Sequence, residues 1–224
     1  MMTEKPFQIA SLAAIAGLAA TLPQADSAAS DAARARQNSL TKPPGSLGRL
    51  EDLACFMAEW RGTARPEITR AQAIIFAGNH GICAQGVNPF PQEVTAQMVL
   101  NFQAGGAAIN QLCRVNGADL SVIALDLDNP TADFTTGPAM TEAETLDALN
   151  QGAAAVDVTA DVLILGEMGI GNSTVAAALA MALFGGSASE WVGPGTGSDA
   201  EGIARKVRAI ETGVLRHQGL QGGL

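Results

Sequence analysis

From Ala71 onward, short continuous apolar runs alternate with longer segments of helical period. The runs are Ala71–Ala77 (AQAIIFA), Leu120–Leu125 and Val162–Leu165 (VLIL). Each is bounded by turn residues and lacks the polar alternation of a half-exposed strand, so each predicts a strand buried on both faces. Helical spacing follows over residues 92–115, 141–156, from about 173, and 199–217, and Thr141 with Glu144 fits a capping box. A fourth short run near Trp191-Val192 is read as a further strand. Before residue 66 the pattern is helical, over 8–21 and 26–38. The segment Thr41-Lys42-Pro43-Pro44-Gly45-Ser46 interrupts it, because prolines and a glycine break helices. Ser46 is then placed to cap a third helix, in which Leu47, Leu50, Ala54 and Met57 form one apolar face. The expected fold is α/β: a mostly parallel sheet flanked by helices over residues 66–224, with a small helical part over 1–65. The stretch His217 to Leu224 stops in mid-pattern after about four strands. The sheet's final strands and helices are therefore expected to be missing.

Composition narrows the classes. The 224 residues are 47% hydrophobic and 16% charged, ample material for one large core. The net charge is -9, and the 13 basic residues are scattered apart from Arg205, Lys206 and Arg208. Without a basic stripe, nucleic acid is not an expected partner, although one site on an acidic protein can still be positive. Cys55, Cys83 and Cys113 are odd in number, widely spaced and free of any CxxC. That argues against a disulfide framework and a zinc site; buried free thiols are expected, and no metal. Ile9–Leu22 is apolar, but Glu4 beside Lys5 weakens the charge a signal peptide would need, and the run is too short for a membrane span. A packed helix, no membrane contact and a cytoplasmic location follow as expectations.

The three most informative loops, at residues 78–91, 166–174 and 193–199, each come after an apolar run. Ligands of parallel sheets bind beyond the carboxyl ends of strands, so these loops should meet at one sheet edge. The second of them, Gly166-Glu167-Met168-Gly169-Ile170-Gly171-Asn172-Ser173-Thr174, joins a strand to a helix start, where backbone N–H groups and the dipole favour an anion. It is neither a Walker loop nor GxGxxG. On glycine content alone a capped turn would explain it; Glu167 argues for a sugar or a developing cation nearby. Gly193 to Gly197 followed by Lys206 can make a phosphate clamp, or Lys206 can be a solvated surface lysine; the residues leave these even. His80 fits a hydrogen-bonded structural residue better than a base, no Ser or Cys triad is evident, and His217 is expected at the surface without a partner.

A resemblance adds to this. The stretch Leu40-Thr41-Lys42-Pro43-Pro44-Gly45-Ser46-Leu47-Gly48-Arg49-Leu50, the turn Asn79-His80-Gly81, Pro91 through Val94-Thr95, Gly105 to Ile109, Gly137-Pro138-Ala139-Met140, the loop Gly166 to Thr174, and Gly193 to Lys206 occur in one order. Together they resemble the nicotinate-nucleotide:dimethylbenzimidazole phosphoribosyltransferase family. The resemblance implies a Rossmann-like, nucleotide-binding sheet, a small helical domain built from both termini, and a homodimer. It implies transfer of phosphoribose from nicotinate mononucleotide to 5,6-dimethylbenzimidazole, giving α-ribazole 5'-phosphate and nicotinate in cobalamin biosynthesis, with no cofactor. Gly169, Gly171, Asn172, Ser173, Gly193, Gly195 and Lys206 would hold the phosphate. Glu167 would steady positive charge on the ribose or hold its hydroxyls. Phe90, Pro91, Met98 and Met168 would wall the flat base. There are two departures: some members carry polar residues where Phe90 and Met98 fall, and the family's general-base glutamate, far downstream, has no counterpart, Glu211 lying in the wrong segment. A non-catalytic binder of nicotinate nucleotides or benzimidazoles would keep the loops without the base. A dinucleotide oxidoreductase would need the GxGxxG this chain lacks.

Overall fold

The computed structural model describes residues 7–219; Glu4, Lys5 and the closing Leu220 to Leu224 lie outside them. Three parallel strands, β1 (Ala71–Gly78), β2 (Ala118–Leu125) and β3 (Val162–Met168), form one sheet in the order β2-β1-β3. Ile75 of β1 pairs with Val122 on one side and Gly166 on the other. The apolar run at residues 71–77 takes the centre because it has almost nothing to solvate: Ala73, Ile74, Ile75 and Ala77 are all buried.

The helices are α1 (Leu12–Leu18), α2 (Ser27–Ser39), α3 (Arg49–Arg61), α4 (Val94–Gln103), α5 (Ala108–Asn116), α6 (Glu142–Ala154), α7 (Asn172–Phe184), α8 (Ala188–Trp191) and α9 (Ala200–Arg216). Among the described residues, no helix is long and apolar enough to cross a membrane. The capping box forms as expected: Glu144 N–H donates to Thr141 Oγ1 at 3.2 Å, and Thr141 N–H donates to the Glu144 carboxylate at 2.7 Å.

Several expectations need correcting. The three apolar runs are strands, but only β1 has buried residues, Ala73, Ile74, Ile75 and Ala77; Ile164 and Leu165 of β3 are exposed, because β3 lies at the edge of the described sheet. The helix read over residues 92–115 is two, α4 and α5, because the chain bends at Gly105 (φ +78) and Gly106. Trp191-Val192 is not a strand: Ser187 and Glu190 close a capping box around the single turn of α8, so the described sheet has three strands. Ser46 does not cap α3; Gly48 occupies that position with φ +54 and no side-chain bond. The buried face of α3 is also different. Cys55 and Ala58 pack on Ala33 of α2, while Leu50 is 63% exposed. The buried positions of α2 are alanines, so the close approach of the two helices selects the small residues of α3.

The core that positions the ligand loops lies where α7, α8 and α9 meet, through Ala177, Ala178, Ala188 and Ile210. A second cluster, Ile82, Val87 and Ala209, ties α9 to the loop after β1. Arg216 Nε donates to the Thr135 carbonyl at 2.7 Å, and His217 Nε2 lies 2.9 Å from the Phe134 carbonyl. His217 is thus half-buried with a partner, not a free surface residue: the helix end packs over residues 134–135, a contact between distant segments.

Candidate functional site

β3 carries Glu167 and Met168 to the sheet edge, and a three-residue link, Gly169-Ile170-Gly171, leads into α7. Glu167 is therefore the next-to-last residue of the strand and not part of a loop. Its carboxylate accepts a hydrogen bond from Asn172 Nδ2, which ties the strand end to the first residue of α7. Both link glycines are required by their neighbours. A Cβ on Gly169 would lie 3.0 Å from His80 Nε2, and one on Gly171 would lie 2.9 Å from Cys83 Sγ at a backbone φ of +91. Ile170 between them is buried. Its N–H donates to Thr95 Oγ1 at 3.1 Å, and its carbonyl accepts from Cys83 Sγ at 3.1 Å.

α9 supplies the cation. Asp199 caps the helix by accepting from Gly202 N–H at 2.8 Å. Lys206, within the next turns, is only 3% exposed. Its Nζ donates to the Gly193 carbonyl at 3.2 Å, and no carboxylate among the described residues forms an ion pair with it. Burial pulls its pKa below the ordinary lysine value. The solvated-lysine alternative is thereby excluded. A Cβ on Gly195 would lie 2.9 Å from Lys206 Nζ and 3.2 Å from Ser173 Oγ, so ammonium and hydroxyl converge on this glycine from two helices.

These groups surround a cavity of about 270 Å³ at the carboxyl end of the sheet. Val87, Pro89, Glu167, Gly171, Gly195 and Lys206 mark its walls, and Met168, Gly169, Asn172 and Ser173 line it as well. The three segments expected to meet at one edge do meet there. The third, however, follows α8 and not a strand. Gly193 takes part through its carbonyl on Lys206. Phe90, Pro91 and Met98 are not among the lining residues: Phe90 and Pro91 are exposed, and Met98 is half-buried on α4. Val87, Asn88, Pro89 and Thr196 also line the cavity; the sequence placed them in the ligand loops at residues 78–91 and 193–199 but gave no reason to single them out. His80 is half-buried with its ring edge on Gly169, and burial holds its pKa below the ordinary value, so the imidazole is neutral at pH 7. Cys55 and Cys113 are buried free thiols as expected, whereas Cys83 is only partly buried beside the link.

A buried ammonium with no carboxylate, a hydroxyl beside it and the positive end of a long helix together suit an anionic ligand. Glu167, the one acidic residue lining the cavity, can face a hydroxyl or positive charge on the same ligand. Fold and cavity define a parallel α/β protein with an anion-adapted site at the carboxyl ends of its strands. Residues 22–222 match a protein family described as phosphoribosyltransferase, and the chain belongs to that family. It is 71% identical over 215 residues to the nicotinate-nucleotide–dimethylbenzimidazole phosphoribosyltransferase of Rhodobacter capsulatus, covering 96% of this chain and 64% of the relative. It is 60% identical over 210 residues to the protein of the same name from Novosphingobium aromaticivorans, covering 94% and 62%. The crystal structure of CobT from Thermus thermophilus superposes with a TM-score of 0.77 at 39% identity, over 85% of this chain and 63% of that one. The chain thus spans somewhat less than two thirds of the length of these relatives.

Proposed function

We propose that the chain carries the ribotide-binding half-site of an enzyme that transfers phosphoribose from nicotinate mononucleotide to 5,6-dimethylbenzimidazole, in the synthesis of the cobalamin lower-ligand nucleotide. The observation that carries this reading is Lys206, a buried cation without a carboxylate, converging with Ser173 on Gly195. The 5'-phosphate sits there, against the N-terminus of α7 and the Gly193–Gly197 turn. Breaking the bond from ribose to nicotinate places positive charge on the ribose ring, and Glu167 at the strand end steadies it or holds the ribose hydroxyls. The incoming benzimidazole attacks from the face opposite the leaving nicotinate and loses its N–H proton to a base. Met168 and Pro89 give that face an apolar wall; Phe90, Pro91 and Met98 contribute only if the nearby loop closes over the base. The protein acts in the cytoplasm as a homodimer, without metal, cofactor, membrane or nucleic acid.

Calorimetric titration with nicotinate mononucleotide tests the site, and chromatographic detection of α-ribazole 5'-phosphate tests turnover. Saturable binding together with product supports the transferase. No binding of the mononucleotide sinks the reading. One observation favours a second reading, binding without turnover: Glu167 is the single acidic lining residue and is already engaged by Asn172. Saturable binding with no nicotinate released would select it.

A further inference from the structure

We propose that Thr95 is a positioning residue for the ligand loop, acting through the Ile170 peptide, with Cys83 as the second half of the same clamp. The inference rests on the ribotide reading above for the ligand, but its geometry is independent of it. Between the end of β3 and the start of α7 the chain has three residues to reverse from strand to helix. The outer two are glycines, which fix no conformation by themselves. The direction of the α7 N-terminus relative to β3 therefore depends on Ile170. Three separate contacts hold it. Its side chain is buried, its N–H is accepted by Thr95 Oγ1 at 3.1 Å, and its carbonyl accepts from Cys83 Sγ at 3.1 Å.

Thr95 is an unusual choice for a merely structural polar group. It lies in the first turn of α4, where a threonine ordinarily bonds its own helix, yet its oxygen accepts from a residue 75 positions away. It is completely buried and does not line the cavity, so it touches no ligand. Cys83 approaches from the short helical turn Gly81–Gln85 that follows β1. Thus α4 and the β1 loop each hold one polar atom of the same residue, and the two grips fix the plane of the link between its glycines. Removing the Thr95 oxygen would leave the Ile170 N–H buried and unpartnered, which favours any arrangement that turns it to water. The link would then pivot on Gly169 and Gly171, carrying Asn172 and Ser173 away from Lys206.

The test compares Thr95→Val, close in shape but without the acceptor, with Thr95→Ser, which keeps it. Amide hydrogen exchange on the ligand-free protein is read at Gly169 to Gly171 and, as the control, along β1. In Thr95→Val, exchange at the link is expected to quicken at least about tenfold while β1 stays protected, and affinity for nicotinate mononucleotide to fall about tenfold. Thr95→Ser is expected to restore both. Link exchange unchanged in Thr95→Val, or lost equally in Thr95→Ser, overturns the proposal. If Thr95→Val does not fold, Cys83→Ala serves: a faster-exchanging link over an unchanged β1 supports the clamp, and an unchanged link overturns it. A wild-type protein that ignores the mononucleotide counts against the ligand reading alone, because the exchange result still decides the clamp.

Discussion

At the residue scale, Lys206 behaves as two things at once. Burying an ammonium without a carboxylate costs stability, and the same isolation makes it available to an anion. Lys206→Met should therefore separate the two effects. Affinity for nicotinate mononucleotide is expected to weaken by about 1.5 to 3 kcal/mol, the range for charged hydrogen bonds, while the urea midpoint stays level or rises. A fall in the midpoint matching the loss of affinity would mean that the lysine is structural. The pH dependence has a definite sign. Burial lowers the lysine's pKa, so the free protein loses this charge as pH climbs through a value below the ordinary 10.5. Ligand affinity should accordingly decline earlier on the alkaline side than an exposed lysine would allow, as titration calorimetry across that range would reveal. Glycines matter for the same reason of space. A Cβ on Gly195 would meet Lys206 Nζ, so Gly195→Ala should cut ligand affinity with little effect on the sheet.

At the element scale, the entry to α7 and the entry to β1 are each fixed by a small set of contacts. Gly171 caps α7 at φ +91, with Cys83 and Ile82 where a Cβ would go. Gly171→Ala is expected to cost about 2 kcal/mol or more in urea unfolding, from left-handed backbone strain plus the clash. The start of β1 is held by Asp161, which accepts from Thr69 N–H at 2.8 Å, Arg70 N–H at 2.9 Å and Thr69 Oγ1 at 2.9 Å, and pairs with Arg61 at the end of α3. The two backbone N–H groups, then the hydroxyl, lower its pKa from 3.8 to about 2. Because the folded value is depressed, the stabilisation is complete above the ordinary carboxylate pKa and is lost as pH falls from 3.8 toward about 2. Thermal midpoints measured over that window should drop more steeply in the wild type than in Asp161→Asn. Parallel slopes would show that Asp161 does not couple α3 to the sheet.

At the scale of the whole molecule, β3 is an edge strand of the described sheet that presents apolar side chains to solvent. Leu165 is 68% exposed, and Leu179, Leu183 and Phe184 on α7 are exposed as well. An open strand edge and exposed apolar side chains each favour association. Size-exclusion light scattering should show a mass that grows with concentration, and Leu165→Lys combined with Leu183→Glu should suppress the growth. A concentration-independent monomer would contradict this. Such association through β3 and α7 would leave the Lys206 cavity at the strand ends open, so ligand affinity should not change with the mass.

The sequence by itself determined the kinds of element. Continuous apolar runs at residues 71–77, 120–125 and 162–165 marked strands, and Thr141 with Glu144 marked a helix start, because both signals depend on near neighbours in the chain. The glycine loop after β3 and the lysine after Gly193 to Gly197 were visible for the same local reason. The tertiary structure decided what depends on distant partners. It turned the apolar pair Trp191-Val192 into the end of a helix that packs on α7 and α9, and it buried Cys55 and Ala58 in place of Leu50. It drew Val87, Asn88 and Pro89 into the cavity wall and left Phe90 outside it. Above all, it showed that Lys206 is buried without a carboxylate and that Thr95 reaches Ile170 across 75 positions. Burial and pairing are properties of what folds against a residue, and no spacing along one chain encodes them.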